Sequence, residues 1–352
     1  ALLDGSGSFS RAALADTARQ FSVCPFELGL DLSEWCDVVI GDYNYLFDPV
    51  VHLKRFFDAA GDWLFLIDEA HNLPGRAREM HSAALTKTSF YEAKKLLGKG
   101  KSSLKNALTK VNDVFIEWRH RAEEETAARD GRFGKTFFLK ERSEEFDHLL
   151  NRLCEPLEAW LDDHREPDET HTALLQLYFD VRAWLRVADT FDDHFVLQIT
   201  ASGSEVRAAQ LCLDPSAFLA DSFALGRAAV LFSATLAPAS YYKDLCGVPE
   251  ARAVALRSPF PAGNQGLFCI GNVSTRYKDR DASLAIVAES LATMVRARCG
   301  NYLAFFPSYA YMEQAYAQFK EHCPEINCIK QENAMDEQQK AAFLAQFVPG
   351  PS

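Results

Sequence analysis

The sequence predicts an α/β fold in which a parallel sheet carries polar clusters at its strand ends and is interrupted by a long helical insertion. Three observations point there. Residues 63–67, Trp63-Leu64-Phe65-Leu66-Ile67, are an unbroken apolar run followed at once by Asp68-Glu69-Ala70-His71. Such a run is too short for a core helix and predicts a parallel strand buried on both faces. A second run, Ala228 to Phe232, ends likewise in Ser233-Ala234-Thr235-Leu236. Between the two, residues 84–190 read as helices with little strand pattern.

Composition narrows the class. A chain of 352 residues, 48% hydrophobic and 24% charged, has ordinary soluble-globular usage and room for two or three domains. No apolar run approaches the ~20 residues of a membrane span. A net charge of −12 argues against a protein that coats nucleic acid, but leaves room for a local basic groove. The nine cysteines are scattered, without a Cys-x-x-Cys pair, which indicates a reducing compartment and mostly inert core thiols. In a bacterium that compartment is the cytoplasm, beside the nucleoid. The start, Ala1-Leu2-Leu3-Asp4-Gly5, has neither signal-peptide architecture nor an initiator Met, so a central fragment of a longer protein is expected.

In chain order, apolar spacing predicts a helix over 11–21 that delivers the chain to Cys24-Pro25-Phe26, and another over 27–36. Val38-Val39-Ile40 reads as a β-branched buried strand. It runs into Gly41-Asp42-Tyr43-Asn44-Tyr45-Leu46-Phe47-Asp48-Pro49, whose tyrosines suit either a core edge or base stacking. A helix over 50–59 leads into the first apolar strand. The insertion holds helices over 91–97, 104–119, 144–161 and 172–188. Lys94, Lys95, Lys99, Lys101, Lys105 and Lys110, then Arg129, Arg132, Lys135, Lys140 and Arg142, form basic runs. They are either a solvated face or a phosphate-contacting surface. Strand alternation returns over 195–213, with a turn at Ser202-Gly203-Ser204.

Chemistry collects where strands end, because a carboxyl-terminal strand edge is rigid and open to a ligand. Asp68 can hold Mg²⁺ through water, since that ion dehydrates reluctantly, and Glu69 can take the proton of a water attacking a γ-phosphate. His71 would sense or relay that chemistry. Ser233-Ala234-Thr235-Leu236 alone is a turn with a helix cap. Placed after a buried strand about 165 residues beyond the acidic cluster, it marks a neighbouring strand of the same sheet.

Read in order, Cys24-Pro25-Phe26, the Val38-to-Pro49 stretch, Asp68-Glu69-Ala70-His71, Ser233-Ala234-Thr235-Leu236, Ser258-Pro259-Phe260 and Phe306-Pro307-Ser308-Tyr309 resemble the iron-sulfur branch of superfamily-2 DNA helicases, the XPD/DinG type. The resemblance covers nearly the whole chain. It implies a RecA-like motor domain with a parallel sheet over 1–83 and 191–255, of which 1–30 ends the iron-sulfur region. It further implies a helical arch insertion over 84–190 and the N-terminal part of a second RecA-like domain over 256–352. In that second domain Tyr302 to Phe306 would be the first strand, Ser308 and Tyr309 would open the next helix toward DNA, and Gln331 would follow another strand. The implied activity is ATP-dependent unwinding of DNA in the 5′-to-3′ direction, with ATP, Mg²⁺ and a [4Fe-4S] cluster as cofactors, single-stranded and duplex DNA as partners, and a place in DNA repair. Ser233 and Thr235 would couple nucleotide state to DNA grip. Tyr43, Asn44, Tyr45, Lys99, Lys101, Ser308 and Tyr309 would contact DNA.

The departures are as informative. No Gly-x-x-x-x-Gly-Lys-Ser/Thr phosphate loop occurs in the chain, and it is expected before residue 1. Only Cys24 matches a cluster-ligand position, the last, and Cys36 is assigned to the core. The chain stops before the family's arginine motifs, so this piece alone is expected to hydrolyse no ATP. Two other classes compete. A DNA-binding scaffold with a relic motor is disfavoured by the retained Asp68 and Glu69. A metal-dependent hydrolase ligated by Asp68, Glu69 and His71 would need a second ligand cluster, and the sequence offers none.

Overall fold

The computed structural model describes residues 10–100, 102–128, 135–274 and 276–347. The chain divides into two compact units, Ala1–Val254 and Ala255–Ser352.

The first unit opens with helices α1 (Arg11–Phe21) and α2 (Pro25–Ser33). Ser10 caps α1 by accepting the Ala13 N–H at 3.3 Å. Proline at the first position of α2 sets its start, where a missing N–H is harmless. The strand expected at Val38-Val39-Ile40 does not form: these residues are 76, 59 and 95% exposed and pair with nothing in a ladder. A β-branched run becomes a strand only when a neighbour takes its backbone N–H and C=O groups. Two short helices follow, α3 (Asn44–Phe47) and α4 (Lys54–Phe57). The helix expected over 50–59 is thus one turn long. Asp48 captures the Val50 N–H at 2.7 Å, and the His52 ring reaches the carbonyls of Leu46 and Phe57, at 2.9 and 3.2 Å. Such local bonds compete with helical ones.

Strand β1 (Leu64–Ile67) runs through a 3₁₀ turn, Ala70–Asn72, into α5 (Leu73–Met80). Then come β2 (Ala83–Thr86), α6 (Lys87–Leu96), α7 (Ser103–Ala128), β3 (Thr136–Leu139), α8 (Glu144–Asp163) and α9 (Glu169–Thr190). The unit ends with β4 (Phe195–Ser202), β5 (Glu205–Cys212), α10 (Ser216–Ala224), β6 (Ala228–Leu231) and α11 (Ala239–Leu245).

The two runs that lead into the polar clusters are neighbours, as expected: β1 and β6 pair in parallel with Leu64 opposite Ala228 and Ile67 opposite Leu231. Gly226 is required before β6, since a Cβ there would lie 2.5 Å from the Phe65 ring. The expected burial on both faces fails. Phe65, Ile67, Ala229 and Leu231 pack toward Leu46, Phe47, Leu73, Leu219 and Phe223. Leu64 and Leu66, on the other face, are 69 and 71% exposed. A parallel strand is buried twice only where elements cover both sides of its sheet, and the described residues cover one.

The insertion corrects a second expectation. Its helices form, but β2 and β3 join the β4–β5 hairpin in an antiparallel sheet of order β2-β5-β4-β3. At four residues each, they are too short for a period-2 pattern to register. The hairpin turns at Gly203, whose φ of 60° suits glycine. Helices α6 to α9 and this sheet share one core. Its centre is a run of rings, Phe90 to Phe115 at 5.5 Å, Phe115 to Phe146 at 5.4 Å and Phe146 to Trp184 at 5.4 Å.

The second unit contains α12 (Arg280–Ala297), α13 (Tyr309–His322) and α14 (Glu337–Leu344). Helices α12 and α13 pack through Leu284, Tyr311 and Ala315 at one end and Ala292, Phe319 and Cys323 at the other. Ser308 caps α13, accepting the Tyr311 N–H at 3.3 Å, so Ser308 and Tyr309 do open a helix. The strand expected over Tyr302 to Phe306 is absent, as is any strand before Gln331. Leu303 and Phe305 are exposed, and the Tyr302 hydroxyl donates to the Arg298 carbonyl at 2.6 Å. Without a ladder partner among the described residues, this apolar run has nothing to pair with. Among the described residues, no helix is long and apolar enough to cross a membrane.

Candidate functional site

The parallel pairing of β1 with β6 fixes where their polar ends meet. The ladder continues past both strands, since the Phe232 N–H donates to the Ile67 carbonyl at 3.0 Å and the Ala70 N–H to the Phe232 carbonyl at 3.1 Å. Ala70 is fully buried, so the turn is pinned on one side while the Asp68 and Glu69 side chains are exposed and His71 is half-buried.

Glu69 lies at φ 48°, ψ 39°, the left-handed region. For a residue with a Cβ this costs about 1–2 kcal/mol, and such strain persists where surrounding bonds fix it. Here they do: Asp68 Oδ1 accepts the Glu69 N–H at 2.7 Å, just before the bond from Ala70 to the sheet. The turn reverses so tightly that Glu69 Oε2 lies 3.1 Å from His71 Nδ1. The same Nδ1 lies 2.7 Å from the Ser233 hydroxyl oxygen, across 162 residues of sequence. Ser233 Oγ also accepts the Thr235 N–H at 3.2 Å. A protonated Nδ1 donates to Glu69 or Ser233, and a bare Nδ1 accepts from the Ser233 hydroxyl. One ring nitrogen therefore links the two clusters and can exchange partners.

Asp68 Oδ1 is occupied by a backbone donor, and Oδ2 has no hydrogen-bond partner among the described residues. One free, exposed carboxylate oxygen fits Mg²⁺ held through water, the usual mode for that ion. The cluster is a different matter. No group of three or more His, Cys, Asp or Glu gathers among the described residues, so these residues by themselves do not fit a [4Fe-4S] centre. Cys24 is exposed at the start of α2, and its side chain makes no capping bond. Cys36, expected in the core, is exposed with its thiol toward the Leu32 carbonyl at 3.6 Å, because α2 stops before it can turn inward. Cys269 and Cys299 are exposed too, whereas Cys154, Cys212, Cys246 and Cys323 are buried. Core placement thus holds for only some of the thiols. Burial pushes the Cys212 and Cys246 thiols up to about 11.

Tyr43, Asn44 and Tyr45 lie half-buried around α3. Tyr43 meets Phe47 at 6.3 Å and Tyr45 meets Phe26 at 6.2 Å, while Asn44 Oδ1 is buried without a hydrogen-bond partner among the described residues. Lys99 is exposed, and Lys101, Arg129 and Arg132 lie outside the described residues. Lys105 donates to the carbonyls of Gly98 and Gly100 that follow α6, which takes it out of any free cluster. Ser308 and Tyr309 belong to the other unit. Sequence reasoning missed Arg76, on α5 one turn after the acidic cluster. Its Nη1 donates to Glu79 Oε2 at 3.0 Å, and the nearby Tyr43 hydroxyl and Glu79 carboxylate raise its pKa, which places it between the tyrosine loop and the helix that leaves the site. Its only signal was an arginine one turn into that helix.

A DEAD_2 family model matches residues 5–90. Over 90% of its length the chain is 22% identical to the general transcription and DNA repair factor IIH helicase subunit XPD of Schizosaccharomyces pombe, covering 50% of that protein. It is 21% identical to the XPD/RAD3 subunit of Saccharomyces cerevisiae, over 89% of the chain and 49% of the relative. A regulator of telomere elongation helicase 1 homolog from Caenorhabditis elegans is 29% identical over 33% of the chain and 10% of its own length. The chain spans about half the length of the XPD relatives. These matches support the resemblance to XPD-type superfamily-2 helicases.

Proposed function

We propose that the chain carries the Mg²⁺-binding and coupling part of an ATP-driven DNA helicase that moves 5′ to 3′. In this reading, 1–83 and 191–255 belong to the first motor domain and 84–190 to a helical arch on which the 195–212 hairpin packs. Residues 256–352 begin the second motor domain. The observation that carries the proposal is the His71 nitrogen shared by Glu69 and Ser233 at the ends of two paired parallel strands.

Mg²⁺ bound at Asp68 would supply charge neutralisation to the phosphates of ATP. Asp68 keeps one oxygen free for that ion's water shell. Glu69, exposed and aimed outward by its strained backbone, accepts the proton of the attacking water. His71 then trades its hydrogen bond between Glu69 and Ser233 as the glutamate's charge changes. Ser233 and Thr235 pass the difference to the segment after β6, a two-state exchange of the kind that couples hydrolysis to grip on a strand. Tyr43, Asn44, Tyr45, Lys99, Lys101, Ser308 and Tyr309 are the proposed DNA contacts. Cys24 would give one thiolate to a cluster, and no step is assigned to that cluster. The proposed setting is DNA repair in a reducing compartment.

The test is Glu69→Gln. Nucleotide binding is expected to persist while hydrolysis falls about 10²-fold or more, the contribution of a general base. Turnover within about threefold of wild type, far below that contribution, removes Glu69 from the role.

A further inference from the structure

Helices α6 to α9 and the sheet β2-β5-β4-β3 form one body, which the chain enters between α5 and β2 and leaves between β5 and α10. Because β2 and β5 are paired, with Ala83 opposite Gln210, the two crossings lie side by side in a narrow neck. Such a neck is a ready hinge, since a few residues at the ends of elements can absorb a large change of direction. Bonds across it decide whether it bends.

The last turn of α5 and the two residues after it supply those bonds. Arg78 Nε donates to the Leu213 carbonyl at 2.8 Å, across 135 residues of sequence. Ser82 Oγ accepts the Cys212 N–H at 2.9 Å, just past the end of the ladder, and donates to the Arg78 carbonyl at 2.6 Å. The His81 ring stacks on Phe218 of α10 at 3.9 Å and 9°. Phe218 in turn meets Phe195 of β4 at 6.0 Å and packs on the core of the insertion. Burial holds the His81 pKa below its ordinary value, against the upward pull of Asp48 and the Phe47 backbone at the end of α3. The tyrosine loop, α5 and the insertion therefore meet at the neck.

The other end of α5 lies at the acidic turn. The helix starts at Leu73, directly after the 3₁₀ turn that holds His71, and buries Leu73 and Ala77 in the core of the β1–β6 sheet. Its eight residues span about 12 Å, and the bonds within a helix carry a displacement of one end to the other. Arg78 and Ser82 are half-buried, beside an insertion whose aromatic core is already closed without them. What they fix is the direction of the insertion more than its stability.

Resting on the helicase reading, we propose that Arg78 is a positioning residue for strand separation: with Ser82 and His81 it clamps the neck, so that the insertion follows α5 as one body when the Glu69–His71 turn changes state.

The experiment measures ATP hydrolysed and duplex separated by the complete protein, for wild type, Arg78→Met, Arg78→Lys and Ser82→Ala. Arg78→Met removes the donor and keeps the apolar stem. Hydrolysis should stay near wild type while separation per ATP falls between about 5-fold and 150-fold, the span of ordinary coupling energies. Arg78→Lys keeps a donor for the Leu213 carbonyl and should restore the ratio. Ser82→Ala removes the second bond and answers the same question if Arg78→Met does not fold. Hydrogen exchange separates positioning from a general loss of structure: in Arg78→Met the Cys212 amide should exchange faster, while the Ala70 amide beside the acidic turn keeps its protection. A wild-type ratio in Arg78→Met and Ser82→Ala overturns the clamp and leaves the helicase reading standing. An Arg78→Lys ratio as low as that of Arg78→Met overturns it too. Absence of DNA-stimulated hydrolysis in wild type overturns both.

Discussion

Glu69 and Asp147 show two ways in which a carboxylate is set apart from its neighbours. Glu69 is exposed, and its distinction lies in a backbone that only local bonds hold in the left-handed region. Asp147 is buried in the core of the helical insertion, where Oδ1 accepts the Trp184 N–H at 2.8 Å and Oδ2 has no hydrogen-bond partner among the described residues, with Arg142 Nε 3.9 Å away. Burial raises its pKa above the usual carboxylate value, and the Trp184 bond and the Arg142 charge pull it back only in part. A carboxyl raised by folding binds its proton more tightly in the folded chain. Its contribution is therefore fully present below the ordinary carboxyl pKa and is lost as pH rises through the raised value. Asparagine keeps an acceptor for Trp184 but has nothing to titrate. The melting temperature of wild type should thus gain on that of Asp147→Asn as pH falls from about 7 to about 4. A gap constant over that range would mean that Asp147 is ionised at no cost.

At the scale of elements, the small β1–β6 sheet makes an asymmetric prediction. Ile67→Ala removes a buried side chain and should cost about 2–4 kcal/mol in urea denaturation. Leu66→Ala, one residue earlier on the open face, should stay within about 0.5 kcal/mol. Equal losses would show that the outer face is covered after all. The same sheet shows why some elements were legible in sequence and others were not. A helix satisfies its own backbone, so the apolar spacing of Glu144 to Asp163 or of Glu169 to Thr190 was enough to find it. A strand is a property of two segments. Val38-Val39-Ile40 and Tyr302 to Phe306 have the composition but no partner, whereas Ala83 to Thr86 and Thr136 to Leu139 have partners but too few residues to show a pattern. The hairpin over 195–212 was legible because its two strands are adjacent and joined by a glycine turn. Of the candidate site, the strand-end positions were readable, since an apolar run stops where the polar residues begin. The His71–Ser233 contact was not, because no local pattern measures a distance across 162 residues.

Across the first unit, the large aromatic core lies in the insertion and its sheet, while the candidate site lies at the ends of a two-stranded sheet with a smaller core and an open face. That division suits the proposed helicase role, with a rigid insertion and switching contacts that are few and exposed. Exposed ion pairs such as Glu69 with His71 contribute little to stability, so the contact can change partners without unfolding the turn. In the proposed cycle Ser233, through His71, transmits the state of Glu69 to the DNA. The direct test is the amount of duplex separated per ATP hydrolysed by the complete protein carrying Ser233→Ala. Hydrolysis should remain near wild type while separation per ATP falls between about 5-fold and 150-fold, the span of ordinary coupling energies. Hydrolysis and separation that fall together, leaving the ratio at the wild-type value, would contradict it.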